Sequence, residues 1–238
     1  MHHSSRRQLP RRLGQLLIGL FLYGWSMAML VRSQLGLDPW DVFHEGVTRV
    51  VPLSFGQVAI VVGALVLLLW IPLRQKPGIG TVLNILVIGL AADFGLAALP
   101  VPRELGWRIA LLVGGVVLNG LAGALYVGAG LGPGPRDGLW VAITARTGAS
   151  IRLVRTGIEL TVLAIGWLLG GTVGIGTVVY ALAIGPLVQF FMPWVDTRPT
   201  RPGEDPAPEP MAGGPDPLLA ATAQDGPQLP QDPVAPGR

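Results

Sequence analysis

The chain has 238 residues, half of them hydrophobic and 13% charged, with a mean hydropathy of +0.55. Apolar runs of eighteen residues or more, the length that crosses ~30 Å of hydrocarbon, recur along it and exclude an ordinary soluble domain. Cysteine is absent, which excludes disulfide and thiol chemistry, and the formal charge of +3 averages a basic body with an acidic C-terminal stretch, a pattern of membrane topology rather than of nucleic-acid binding.

A basic segment, 1–12, carries Arg6, Arg7, Arg11 and Arg12 ahead of the first predicted span, Leu13–Val31. Ser5-Arg6-Arg7 before an apolar stretch resembles a twin-arginine signal, but no small-x-small cleavage site follows, so the span is expected to be retained. A Leu35-Gly36 break leads to a helix-like segment, Pro39–Val50, which at roughly 18 Å is too short to cross a bilayer. Pro39 suits a first helical turn, and Asp38 with Asp41 three positions on has near capping-box spacing. Ser54-x-x-Gln57 repeats that spacing at the start of the second span, Phe55–Leu73. Gly78-Ile79-Gly80-Thr81 opens the third, Ile79–Leu99, which holds Asn84 and, near its end, Asp93.

The fourth span, Trp107–Gly128, contains Asn119 and is followed by a second Leu131-Gly132 break and a second short helix, Pro135–Arg146, with Asp137 in its first turn. The fifth, Ile151–Leu169, carries Arg155 and Glu159 four residues apart on one face, the spacing of an intrahelical ion pair or, alternatively, of a proton or cation relay. Gly174-Ile175-Gly176-Thr177 opens the sixth, Ile175–Trp194. From 196 to 238 the chain is rich in Pro, Gly, Ala and acidic residues and is expected to be a disordered cytoplasmic tail.

Shifting the chain by 96 residues superposes it on itself without a gap. Residues 19–95 fall on 115–191 with close to a third of the positions identical, far more than composition produces. Transmembrane repeats over 13–99 and 100–195 follow, each with three spans, and an odd number of spans per repeat inverts the second copy. Twelve Arg and Lys residues lie on one side of the predicted spans against four on the other, so the positive-inside rule places both termini in the cytoplasm of a plasma-membrane protein. The expected fold is all-α and transmembrane: a six-helix bundle from two inverted three-helix repeats, each with a short extra helix after its first span. Gly24-x-x-x-Ala28 and Gly120-x-x-x-Ala124 suggest a close crossing of the two first spans.

In inverted-repeat transporters, short Gly/Pro-interrupted helices mark a midplane site. On that pattern Asp41, Asp137, Glu159, Asn84 and Asn119 are candidates for binding a solute or ion. Gly36, Pro39, Gly132, Pro135, Gly78, Gly80, Gly174 and Gly176 are candidate helix breaks and hinges, though the Gly-Ile-Gly-Thr segments also suit close packing. Asp41 and Asp137 either orient the short helices or bind a cation, and Glu159 is the candidate for proton coupling. The alternative is that both short helices lie flat at opposite interfaces and the aspartates only cap them. No catalytic, metal or cofactor site is expected: His44-Glu45 lacks the second His of a zinc helix, and there is no Gly-x-Ser-x-Gly elbow. The expected partners are the bilayer and an unknown small solute or ion, with no nucleic acid; a homodimer or a larger membrane complex is left open. A small permease is the leading expectation, and a non-transporting scaffold or regulatory partner of a membrane complex the alternative.

Several stretches together, Leu35-Gly-Leu-Asp-Pro-Trp-Asp41, Ser54-Phe-Gly56 and Pro77-Gly-Ile-Gly-Thr81 above all, resemble the YczE/YyaS/YitT-type bacterial integral membrane proteins over roughly residues 13–195. The resemblance implies a multi-spanning plasma-membrane protein with no established substrate. The second copy departs from the first, with Arg136 where Trp40 stands and Trp140 in place of His44, so a site using both halves is asymmetric.

Overall fold

The computed structural model describes residues 3–197, and every regular element among them is a helix. In order these are α1 (His3–Ser33), α2 (Pro39–Thr48), α3 (Phe55–Leu73), α4 (Ile79–Ala98), α5 (Leu105–Gly128), α6 (Pro135–Thr147), α7 (Ile151–Leu168) and α8 (Ile175–Val195). Five are long and apolar enough to span a bilayer: α1 over Leu9–Ser33, α3, α4, α5 and α8. The predicted fifth span, α7, has 18 residues but includes Arg152, Arg155 and Glu159, so its apolar character is interrupted on one face. Its other face exposes Leu153, Leu160, Trp167 and Leu168, as a lipid-facing surface does. The predicted tail beyond Thr197 lies outside the described residues.

Helix ends follow from local chemistry. Ser54 and Gln57 form the reciprocal cap expected at α3. The Thr81 and Thr177 hydroxyls accept from the Gly78 and Gly174 amides at 3.1 and 3.3 Å, closing the first turns of α4 and α8. Gly36 and Gly132, at equivalent repeat positions, share left-handed φ values of 119° and 120° that residues with a side chain rarely adopt.

α1 and α5 cross at the centre, α4 packs on α1, and α8 packs on α5. The central crossing is made through Gly19, whose missing Cβ admits Leu125 and Tyr126, and its repeat partner Gly115, which admits Leu30 and Met29. The small-x-x-x-small pairs serve a different contact from the one expected. Gly24 and Ala28 face α4, at Ile88, Ala91 and Gly95, while Gly120 and Ala124 face α8, at Leu187 and Val188. The pattern names a close-packed face without naming the helix that covers it.

The short helices exchange partners between halves. α2 packs mainly on α7, and α6 on α3. Gly166 of α7 lies against the backbone of Val42 and Phe43, while Gly138 of α6 lies under the Trp70 ring of α3, whose indole N–H donates to Pro135 O at 3.0 Å. Each Gly-Ile-Gly-Thr segment docks on the break of the other half: Gly80 N donates to Leu131 O at 2.9 Å and Gly176 N to Leu35 O at 2.8 Å. Two arginines repeat the reciprocity. Arg12 donates to Ala129 O and Gly130 O, and Arg108, 96 positions on, to Ser33 O and Gln34 O, so each caps the open end of the other half's first span.

Candidate functional site

Because both breaks are pinned by the opposite half, α2 and α6 start close together in the interior. Asp38 is the N-cap of α2: its Oδ1 accepts from Trp40 N at 2.9 Å and from Asp41 N at 3.2 Å. Its Oδ2 is buried with no hydrogen-bond partner among the described residues. Arg136, in the first turn of α6, faces it across the gap, with Nη1 4.0 Å from Asp38 Oδ1 and the guanidinium 5.1 Å above the Trp40 ring.

Three neighbouring cavities surround this point. The largest, about 90 Å³, is bounded by Asp38, Tyr126, Arg136, Asp137, Trp140 and Glu159, among others. A second, about 50 Å³, adds Asn84, and a third, about 20 Å³, lies beside His44, Ala59 and Gly63. Arg136 lines all three. The largest and the smallest are repeat counterparts: Trp140, Arg155 and Glu159 occupy in one the places of His44, Ala59 and Gly63 in the other. Beside the Arg136 that they share, one therefore adds Arg155 and Glu159 where the other has only Ala59 and Gly63.

The cavity wall is tied together by polar contacts. Asn119 donates to Ser26 Oγ at 2.8 Å and accepts from the Tyr180 hydroxyl at 2.9 Å. The Tyr126 hydroxyl donates to Asp137 and accepts from Gly134 N. Arg155 meets Glu159 at 3.0 Å, the intrahelical pair expected from spacing, and also lies 5.1 Å over Trp140. The indole nitrogens of Trp40 and Trp140 are buried donors with no partner among the described residues.

Of the five candidates, Asp137, Glu159 and Asn119 line the largest cavity and Asn84 its two neighbours. Asp41 sits behind them, fully buried, 3.3 Å from His44 Nδ1. The Gly and Pro candidates form the breaks and first turns already described. Asp93, at the far end of α4, binds Ser54 and Gly56 and has no part in the site. Sequence reasoning missed Arg136 and Asp38, reading the first as a topological charge and the second as a cap. An arginine in the first turn of a helix too short to cross the bilayer was the available signal. Among the described residues no group of three His, Asp or Glu is placed to hold a metal ion.

A chain whose described residues form only helices, with apolar outward faces, five of them of spanning length, and a polar interior, is a multi-pass integral membrane protein. It belongs to a family of unknown function (DUF6198), which matches residues 10–193. It is 39% identical over 189 residues to an uncharacterized protein of Haemophilus influenzae, covering 79% of this chain and 87% of that one. It is 37% identical to the uncharacterized membrane protein YczE of Bacillus subtilis, over 74% of this chain and 82% of that one. The uncharacterized protein YyaS of Bacillus subtilis is 25% identical over 75% of this chain and 91% of its own. The resemblance to YczE and YyaS expected from the sequence therefore holds. No solved structure matches the chain.

Proposed function

We propose that this protein is a small permease of the plasma membrane that carries a solute between two inverted halves, α1–α4 and α5–α8, with both termini in the cytoplasm. The observation that carries the reading is the meeting of two short helices, one from each half, at a polar cavity of about 90 Å³ walled by both. Broken helices starting near the midplane are how inverted-repeat carriers present backbone and side-chain groups to a solute. Each half contributes three long helices and one short one, and an odd number of crossings turns the second half over. In that orientation the cavity with Asp137, Arg155 and Glu159 lies toward the cytoplasm and its small counterpart, which lacks those three, toward the outside. Rocking the halves about the reciprocal glycine contacts would enlarge one at the expense of the other. Asp137 and Glu159 supply the titratable wall, and the chain acts as a carrier rather than an enzyme.

The absence of native cysteine makes the test direct. Single cysteines along 35–43 and 131–139, labelled with a membrane-impermeant maleimide from each side, should react at the deep positions, one stretch from each face. Reaction confined to surface-level positions would replace the permease with a scaffold whose short helices are caps.

A further inference from the structure

We infer that the cavity is built for a small zwitterion of the amino-acid type, its carboxylate held by the Arg136 guanidinium and its ammonium by Asp38 Oδ2. The assignment rests on the carrier reading above and names its substrate class. Arg136 carries five N–H donors in a planar fork, yet forms no hydrogen bond among the described residues; its contacts are the Trp40 face and Asp38 at 4.0 Å. That separation is too long for a hydrogen-bonded pair. Asp38, 3% exposed and part of the cavity wall, has one oxygen fixed by the backbone of α2 and the other buried without a hydrogen-bond donor among the described residues. A donor fork and an acceptor oxygen thus stand side by side without satisfying each other, in an interior where unsatisfied charge is costly.

The remaining charges select against simpler ligands. A bare anion on Arg136 would also meet the carboxylates of Asp38, Asp137 and Glu159 on the same wall. A bare cation at Asp38 would meet Arg136, with Arg155 across the cavity. A metal ion would find no group of three His, Asp or Glu ligands among the described residues. A zwitterion answers both groups and leaves the net charge of the site unchanged: the guanidinium takes a carboxylate bidentately, and the Asp38 oxygen accepts from an ammonium. The first turn of α6, where Arg136 sits, adds its own positive end to the carboxylate side. The volume admits a short side chain and no more than that.

The test uses the purified full chain in lipid nanodiscs, with thermal unfolding as the binding readout, because a ligand of the folded state raises the midpoint saturably. Glycine, alanine and serine are compared with propionate and ethylamine, which are alanine lacking one charge each. At least one of the three zwitterions should raise the midpoint where propionate and ethylamine do not. Asp38→Asn, which keeps the cap, and Arg136→Gln should each weaken that binding by at least about tenfold, the loss of one charged hydrogen bond. If Arg136→Gln does not fold, Arg136→Lys replaces it; it keeps the charge, loses the fork, and should still bind severalfold more weakly. No response to any zwitterion, an equal response to propionate or ethylamine, or an unaffected Asp38→Asn overturns the assignment. Uptake into proteoliposomes separates it from the carrier reading. Alanine that binds but is not taken up removes transport and leaves this site, whereas uptake of another solute without zwitterion binding does the reverse.

Discussion

A carboxylate near a helix start can commit both oxygens to the protein or keep one back, and two aspartates here take the two courses. Asp93 accepts from Gly56 N at 2.7 Å with one oxygen and from the Ser54 hydroxyl with the other, tying the end of α4 to the start of α3. Asp38 ties one oxygen to α2 and keeps the other, buried in the cavity wall, without a donor among the described residues. Replacing Asp93 by Ala orphans two donors at a partly exposed site, and should lower unfolding stability by about 1–2 kcal/mol. Asp38→Asn keeps an equally good N-cap and should change it by less than about 0.5 kcal/mol. Chemical denaturation of both variants in one detergent measures the difference. Equal losses would mean that the Asp38 charge supports the fold instead of a ligand. From sequence these two residues look alike, as acids near helix ends, because what separates them is the side chain on a distant helix that each one meets.

At the scale of elements, the joints of the molecule are the two places where a Gly-Ile-Gly-Thr turn rests on the opposite Leu-Gly break. A Cβ on Gly80 would lie 2.7 Å from Leu131 O, and one on Gly176 would lie 2.6 Å from Gly36 O, with backbone on both sides of each contact. Gly80→Ala and Gly176→Ala should therefore each cost about 1–3 kcal/mol, as overpacking of a tight contact does. Gly157, inside α7 with open space around it, is the control, and Gly157→Ala should be neutral or stabilising by up to about 1 kcal/mol. Denaturation midpoints of the three variants decide the matter, and equal effects would place the joints elsewhere. The elements themselves are legible in the chain, because span length, Pro at a first turn and capping residues are local signals. The predicted Phe55–Leu73 coincides with α3, and both short helices start at the expected prolines. Which half each element packs on is not local. A self-match aligns Gly80 with Gly176 but is silent on the fact that each docks on the other copy's break. Arg12 and Arg108 did carry a signal, one arginine at the same register in both copies, yet a count of charges treats them as topology alone.

Those exchanged contacts make the two halves one unit at the scale of the whole molecule. The backbone groups of each break, the open ends of α1 and α5 and the Trp70 indole all find their partners across the repeat boundary. Thr81 Oγ1 adds a bond to Pro133 O at 2.7 Å, and Glu45 accepts from Thr172 N at 2.7 Å. In hydrocarbon each such group left unsatisfied costs several kcal/mol, so neither half has a stable structure to keep when the other is removed. The connection between them, residues 99–104, is short and has no part in these contacts. A protease site placed after Pro102 in the purified protein should therefore be cleaved without consequence: the fragments should co-elute and keep the unfolding midpoint of the intact chain to within a few degrees. Separated in denaturant and returned to nanodiscs singly, neither should recover a cooperative transition as a monomer, whereas the mixture should. A single fragment that refolds as a monomer would show that the reciprocal contacts decorate two independent bundles, and a carrier that works by rocking one half against the other would then lack the shared joint on which its motion depends.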